Sequence, residues 1–197
     1  MLSRGFSLVE LMITLAVLGM LLAIGLPNMG TWLQNTQIRN AAESINSGLN
    51  FARAEAVKRN TTVRFQLVND MTNTCQIVSD GKNWVVSLDA TTANCDAEPS
   101  DTVLPRILQK RASSEGSPNA QITATGGTAV LFNGLGRATI GSLTQIDVRN
   151  LANGACKTPT GTEPMRCLRI QVSTGGQVRM CDPGVSAATD PNDPRLC

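Results

Sequence analysis

From Phe6 to Leu26 the chain is apolar or small at almost every position, and Glu10 is the sole charge in the run. A stretch of about 20 such residues is long enough to cross a hydrocarbon core as a helix. A helix is also the one single segment that satisfies its own backbone groups there. Beyond Asn28 the pattern changes. Ile38, Ala42, Ile45, Leu49, Ala52 and Ala56 recur at alternating steps of four and three, which draws one stripe down a helix. Arg39, Glu43, Asn46, Asn50 and Arg53 fall away from that stripe. Lys58 and Arg59 place positive charge where the last turn favours it, and Asn60 suits a left-handed cap. The pattern predicts one helix over 6–60, about 80 Å long at about 1.5 Å per residue. Its first part, 6–27, belongs in membrane or filament core. Its second part, 28–60, packs its stripe on a sheet.

Past residue 60 the period shortens to two. Val63, Phe65 and Leu67 alternate with Arg64, Gln66 and Val68. Residues 75–79 and 84–89 read as a hairpin about Asp80-Gly81-Lys82-Asn83. A strand over 103–109 is pushed towards an edge by Pro105. Residues 122–125 and 129–132 pair across Gly126-Gly127, and 137–140 and 143–149 are further strands. The clearest hairpin joins 168–173 to 178–181 through Gly175-Gly176. A Pro- and Asp-rich tail, 182–197, follows and is tied down by Cys197. One long helix followed by many short strands is an α+β layout with a single β-rich domain, 61–197.

Composition narrows the chemistry. A chain of 197 residues fits one globular domain plus the helix. Its formal charge is +2, too small for bulk attraction to a polyanion. There is no His and no Tyr, which removes Ser-His-Asp and Cys-His catalysis and His-metal sites. The six cysteines contain no C-x-x-C, so zinc is not expected, and an even number in an exported domain reads as disulfides. About fifteen connectivities are open. The sequential one is favoured: Cys75–Cys95, Cys156–Cys167 and Cys181–Cys197 each close a short loop beside predicted strands. Asp182, Asp190 and Asp193 lack the ligand spacing of a calcium loop. Gly126-Gly127 and Gly134-Leu135-Gly136 lack the Lys-Ser/Thr and helix start of a phosphate loop. Trp84 reads as packing, and Trp32, just past the apolar run, as packing or a membrane-interface residue. No metal, no cofactor and no enzyme activity are expected.

Glu10 carries the most information. A carboxylate in an apolar span costs about 2.5–3.5 kcal/mol near the centre, so it persists where it has a partner. Cutting after Gly5 would give Phe6 a free α-amine one turn away, able to pair with Glu10 of a staggered neighbour. An ordinary secretory signal would end in small residues, where this run ends in Leu26-Pro27-Asn28. The segment Arg4-Gly5-Phe6-Ser7-Leu8-Val9-Glu10-Leu11 resembles the type IV prepilin signal, and Pro27 stands where that family commonly has a proline that kinks or melts the helix. The resemblance implies a leader, 1–5, cleaved between Gly5 and Phe6 by prepilin peptidase. It also implies N-methylation of Phe6 and a docking role for Glu10 in assembly.

Three later segments resemble the GspH/FimT family of minor pilins and pseudopilins. They are Leu49-Asn50-Phe51-Ala52-Arg53-Ala54-Glu55-Ala56-Val57-Lys58-Arg59-Asn60, Phe132-Asn133-Gly134-Leu135-Gly136-Arg137, and the late hairpin from Ile170 to Cys181. The ending Asp193-Pro194-Arg195-Leu196-Cys197 is similar to FimU-type minor pilins. The resemblance implies two antiparallel β-sheets beside the helix. It implies a low-abundance subunit that primes a type IV pilus and sits at or near its tip, with other minor and major pilins and an inner-membrane assembly platform as partners. The chain would be a single-pass inner-membrane protein with its domain in the periplasm, then part of an extracellular pilus tip. Two alternatives come with the family: a type II secretion pseudopilin, and a DNA-binding pilin for natural transformation. DNA-binding members carry G-R-x-R on the late hairpin, and here Gly176-Gln177-Val178-Arg179 keeps only the second arginine. Arg169 and Arg195, with Arg166, would have to cluster with Arg179 to compensate. Arg166 and Arg169 are three apart and so face opposite ways on a strand. Solvated surface arginines are therefore the favoured reading, and nucleic acid is not a favoured partner.

Overall fold

Helix α1 runs unbroken from Leu8 to Arg59. The computed structural model describes residues 7–139, 144–150, 154–188 and 190–197, and of 24–28 the backbone only. The helix continues through position 27, as the pattern predicts. It stops at Asn60, whose left-handed φ of 48° turns its N–H back onto the carbonyls of Ala56 and Val57. Glu55, nearly buried, receives Lys58 Nζ at 3.0 Å and Arg59 Nε at 2.6 Å. Both last-turn cations are thereby fixed by one carboxylate.

Among the described residues the rest forms eight strands: β1 (Val63–Val68), β2 (Asn83–Ser87), β3 (Ile107–Arg111), β4 (Gln121–Thr125), β5 (Ala129–Phe132), β6 (Gln145–Arg149), β7 (Leu168–Val172) and β8 (Val178–Cys181). They make two antiparallel sheets, ordered β3-β2-β1-β5 and β4-β6-β7-β8. The helix stripe lies against both. Ile38, Ala42, Ile45, Leu49, Ala52 and Ala56 are all fully buried, with Phe65, Phe132, Ile146 and Ile170 around them. The Trp84 ring stacks on Phe65 with centroids 5.6 Å apart, and its Nε1–H donates to Ser44 Oγ on α1.

Several expected pairings are corrected. Residues 122–125 and 129–132 do not form a hairpin: β4 pairs with β6 and β5 with β1, so the chain crosses from one sheet to the other at 126–128. Residues 75–79 contribute only a bridge from Ile77 to Val68, and β2 pairs with β1 and β3 instead. The edge strand near Pro105 begins after it, at Ile107. Of 137–140, Ala138 alone bridges to Phe132, and Ile140 lies outside the described residues. Both faces of β1 are covered, since Gln66 and Val68 on the second face are buried as well. Val68, Val85 and Ile107 form a second small core there with Cys75 and Cys95, under the loops between β1 and β3. Lys110 Nζ holds that cover by donating to the carbonyls of Asp96 (2.8 Å) and Ala97 (2.9 Å).

Candidate functional site: the bare helix and the late hairpin

Along α1 every side chain described from Leu8 to position 23 is exposed. Leu8, Val9, Leu11, Met12, Ile13, Leu15, Val17, Leu18, Met20, Leu21 and Leu22 are each between 51% and 73% exposed. That is an apolar surface on every side of the helix, which a water-facing helix does not carry. Glu10 projects from its first turn, and among the described residues no side chain pairs with it. Gly5 and Phe6, the expected processing and methylation residues, lie outside the described residues. Among the described residues no helix is long and apolar enough to cross a membrane, and the expected span 6–27 extends beyond the side chains described.

The family-like segments, far apart in sequence, meet at the other end of the molecule. Arg53 Nε donates to the Gly136 carbonyl at 3.1 Å. That same carbonyl sits where a Cβ on Gly176 would be, and Gly176 has φ of 80°, a conformation that suits glycine. Helix end, Asn133–Arg137 turn and late hairpin are thus pinned at one point.

Of the arginines considered for DNA, Arg166 and Arg195 line one groove and Arg166 has no side-chain partner among the described residues, but Arg169, Arg179 and Arg195 are engaged. Arg169 Nε lies 2.7 Å from Asp147 Oδ1 across the β6–β7 pair. Arg179 donates to the Leu196 carbonyl at 2.6 Å and to that of Pro194 at 3.4 Å, holding down the tail. Arg195 grips Asp193 with two bonds, at 3.0 and 2.7 Å, and pulls that carboxyl down to about 2. Disulfides join Cys75 to Cys95, Cys156 to Cys167 and Cys181 to Cys197. The last of these ties the tail to the end of β8.

Beside β8 the structure shows a feature that sequence reading missed. A groove of about 630 Å³ runs between α1 and the last strand. Its walls include Trp32, Arg39, Arg166, Leu168, Met180 and Arg195. The lower wall is fastened to α1 at Asn35, which accepts from the Arg166 N–H at 2.7 Å and donates to the Pro164 carbonyl at 3.1 Å. The exposed Trp32 was the one available signal.

A helix apolar all round in its first half, and seated on two antiparallel sheets by a stripe on its second, defines a pilin-type subunit. Residues 41–176 match the family described as Type II transport protein GspH, and residues 1–26 match the prokaryotic N-terminal methylation motif. The chain belongs to the GspH family. Among solved structures, two crystal forms of the type IV minor pilin FimU of Pseudomonas aeruginosa PAO1 are similar. In space group P65 the identity is 19%, over 72% of this chain and 90% of that one, with a TM-score of 0.46. In P21 the values are 17%, 73%, 87% and 0.43. No curated protein matches the chain.

Proposed function

We propose that this chain is a minor pilin that primes assembly of a type IV pilus and sits at or near its tip. The observation that carries the reading is the bare half of α1, apolar on all sides with Glu10 as its one charge. Such a surface needs lipid before assembly and neighbouring helices after it. On this reading prepilin peptidase cuts between Gly5 and Phe6, and Phe6 is methylated. Its α-amine is then available to Glu10 of an adjoining subunit. The domain faces the periplasm while α1 sits in the inner membrane, where the assembly platform acts on it. The other pilins are its lasting partners.

Mass analysis of the mature N-terminus and recovery in sheared filaments test this together. Gly5→Ala is expected to leave the leader attached. Glu10→Ala is expected to be processed normally yet enter filaments at least about tenfold less, the equivalent of ~1.4 kcal/mol. Normal incorporation of Glu10→Ala would remove its docking role. A second reading, a secretion pseudopilin, is favoured by the description of the matching family. A deletion strain separates the two, by loss of surface pili in one case and of exported proteins in the other.

A further inference from the structure

Strand β8 is the edge of its sheet, and its hydrogen-bonding direction follows from the hairpin. Gly176 N–H donates to Ser173 O, and Ser173 N–H donates to Gln177 O at 3.0 Å. With Gln171 opposite Arg179 and Arg169 opposite Cys181, alternation along the antiparallel pair turns the main-chain groups of Arg179 and Cys181 towards β7. The N–H and C=O groups of Val178 and Met180 therefore point outwards. β7 agrees: Val172 N–H donates to Thr144 O, which places Ile170 and Val172 on the β6 side. Among the described residues nothing bonds to the outward groups of Val178 and Met180. One step further along the same edge, Asp182 N–H donates to Arg195 O at 2.8 Å. The chain's own tail thus bonds the edge at Asp182, and residues 196 and 197 are held beside β8 by Cys181–Cys197 and by Arg179 on the Leu196 carbonyl, without a bond to the main chain of Val178 or Met180.

Met180, in the open part of the edge, lines the groove. Met180 and Leu168 with the exposed Trp32 give it an apolar floor, and Arg166 stands on its rim with no side-chain partner among the described residues. An unpaired edge beside a pocket is the geometry by which an extended peptide joins a sheet: main-chain bonds supply affinity, and alternate side chains supply selection. We propose that β8 is completed by an extended segment of a neighbouring pilin subunit, about four residues long, or ~13 Å at the strand rise. That segment sets an apolar side chain on Trp32 and Met180 and a carboxylate against Arg166. The inference rests on the assembly reading above, because a neighbouring subunit is the donor.

The test uses the full chain, alone in detergent micelles and co-expressed with the other pilins of its host. Amide exchange across 176–181 is read by mass spectrometry with residue-level fragmentation. In the chain alone, Val178 and Met180 are expected to exchange at least about tenfold faster than Arg179 and Cys181. In the complex they are expected to slow by a similar factor of about ten. Met180→Pro removes an outward N–H that no bond within β7–β8 uses, a position where an edge strand accepts proline. It is expected to reduce the recovered complex about tenfold while its disulfides still form. Trp32→Ala and Arg166→Glu, both at exposed positions, cover the case in which the proline variant misfolds, and each is expected to reduce recovery at least about threefold. A complex in which Val178 and Met180 still exchange freely would overturn strand addition and leave the assembly reading standing. So would wild-type recovery of the folded variants. A wild-type chain that recruits no other pilin would overturn the assembly reading, and strand addition with it.

Discussion

Asp193 shows what single residues contribute here. Arg195 holds its carboxyl at about 2, against an ordinary 3.8. Glu55, bonded by Arg59 and Lys58, and Asp89, bonded by Arg106, are lowered for the same reason. A carboxyl lowered on folding adds stability that is complete above its unfolded value and is lost as pH falls through its folded value. The thermal midpoint of the full chain in micelles is thus expected to hold at neutral pH and to fall from about 4.5, the ordinary value for Glu55, towards about 2. Arg195→Gln should flatten that fall, and an unchanged acid profile would remove Asp193 as a contributor. Gly176 makes the opposite kind of contribution, by what it lacks. Gly176→Ala places a methyl on the Gly136 carbonyl at a positive φ, and should cost ~1–3 kcal/mol in denaturant unfolding. Gly175→Ala is the control, because its Cβ meets only Ser173 Oγ at 3.7 Å.

At the scale of elements, α1 is two helices of different chemistry on one axis. Leu49 is fully buried, whereas Leu15 is 59% exposed. Leu49→Ala is expected to cost ~2–5 kcal/mol of domain stability. Leu15→Ala should stay within ~0.5 kcal/mol, and its effect belongs to assembly instead. This element was legible in the sequence because helical periodicity is local: each stripe position is set by its neighbours three and four residues away. Strand pairing was legible at the late hairpin, where β7 and β8 pair as expected, but not between distant strands. Gly126-Gly127 fits a tight hairpin locally, and only burial against α1 and β1 decides that β4 and β5 join different sheets. Gln66 likewise alternates as a surface residue. It is buried because a distant loop, stapled by Cys75–Cys95, folds over it and Gln66 Nε2 finds Ser87 Oγ at 2.7 Å. The bond between Arg195 and Asp193 spans two residues and could be read locally. The pairing of Arg169 with Asp147, and the hold of Arg179 on the Leu196 carbonyl, could not.

For the whole molecule, the engagement of those arginines bears on whether duplex DNA is a partner. Binding of duplex DNA by the full chain in micelles is expected to stay at background at low salt. Arg179→Ala should leave that signal within about twofold, since Arg179 is held on the Pro194 and Leu196 carbonyls and not presented within a cluster of free cations. The same variant should instead make the tail beyond Asp182 more open to protease. Salt-sensitive binding abolished by Arg179→Ala would move the chain to the transformation class.

The unbroken helix has a mechanical consequence. Traction between anchor and domain passes down one strut of 52 residues and enters both sheets along the stripe, parallel to the axis. Loaded that way, the side chains must shear past the sheets together, where a peeling load would free them one at a time. The strut is helical from end to end. Seating its anchored end one residue deeper, with the same ridge kept against its neighbours, turns the domain by about 100°. Which sheet faces outward is then set, like the thread of a screw, by depth.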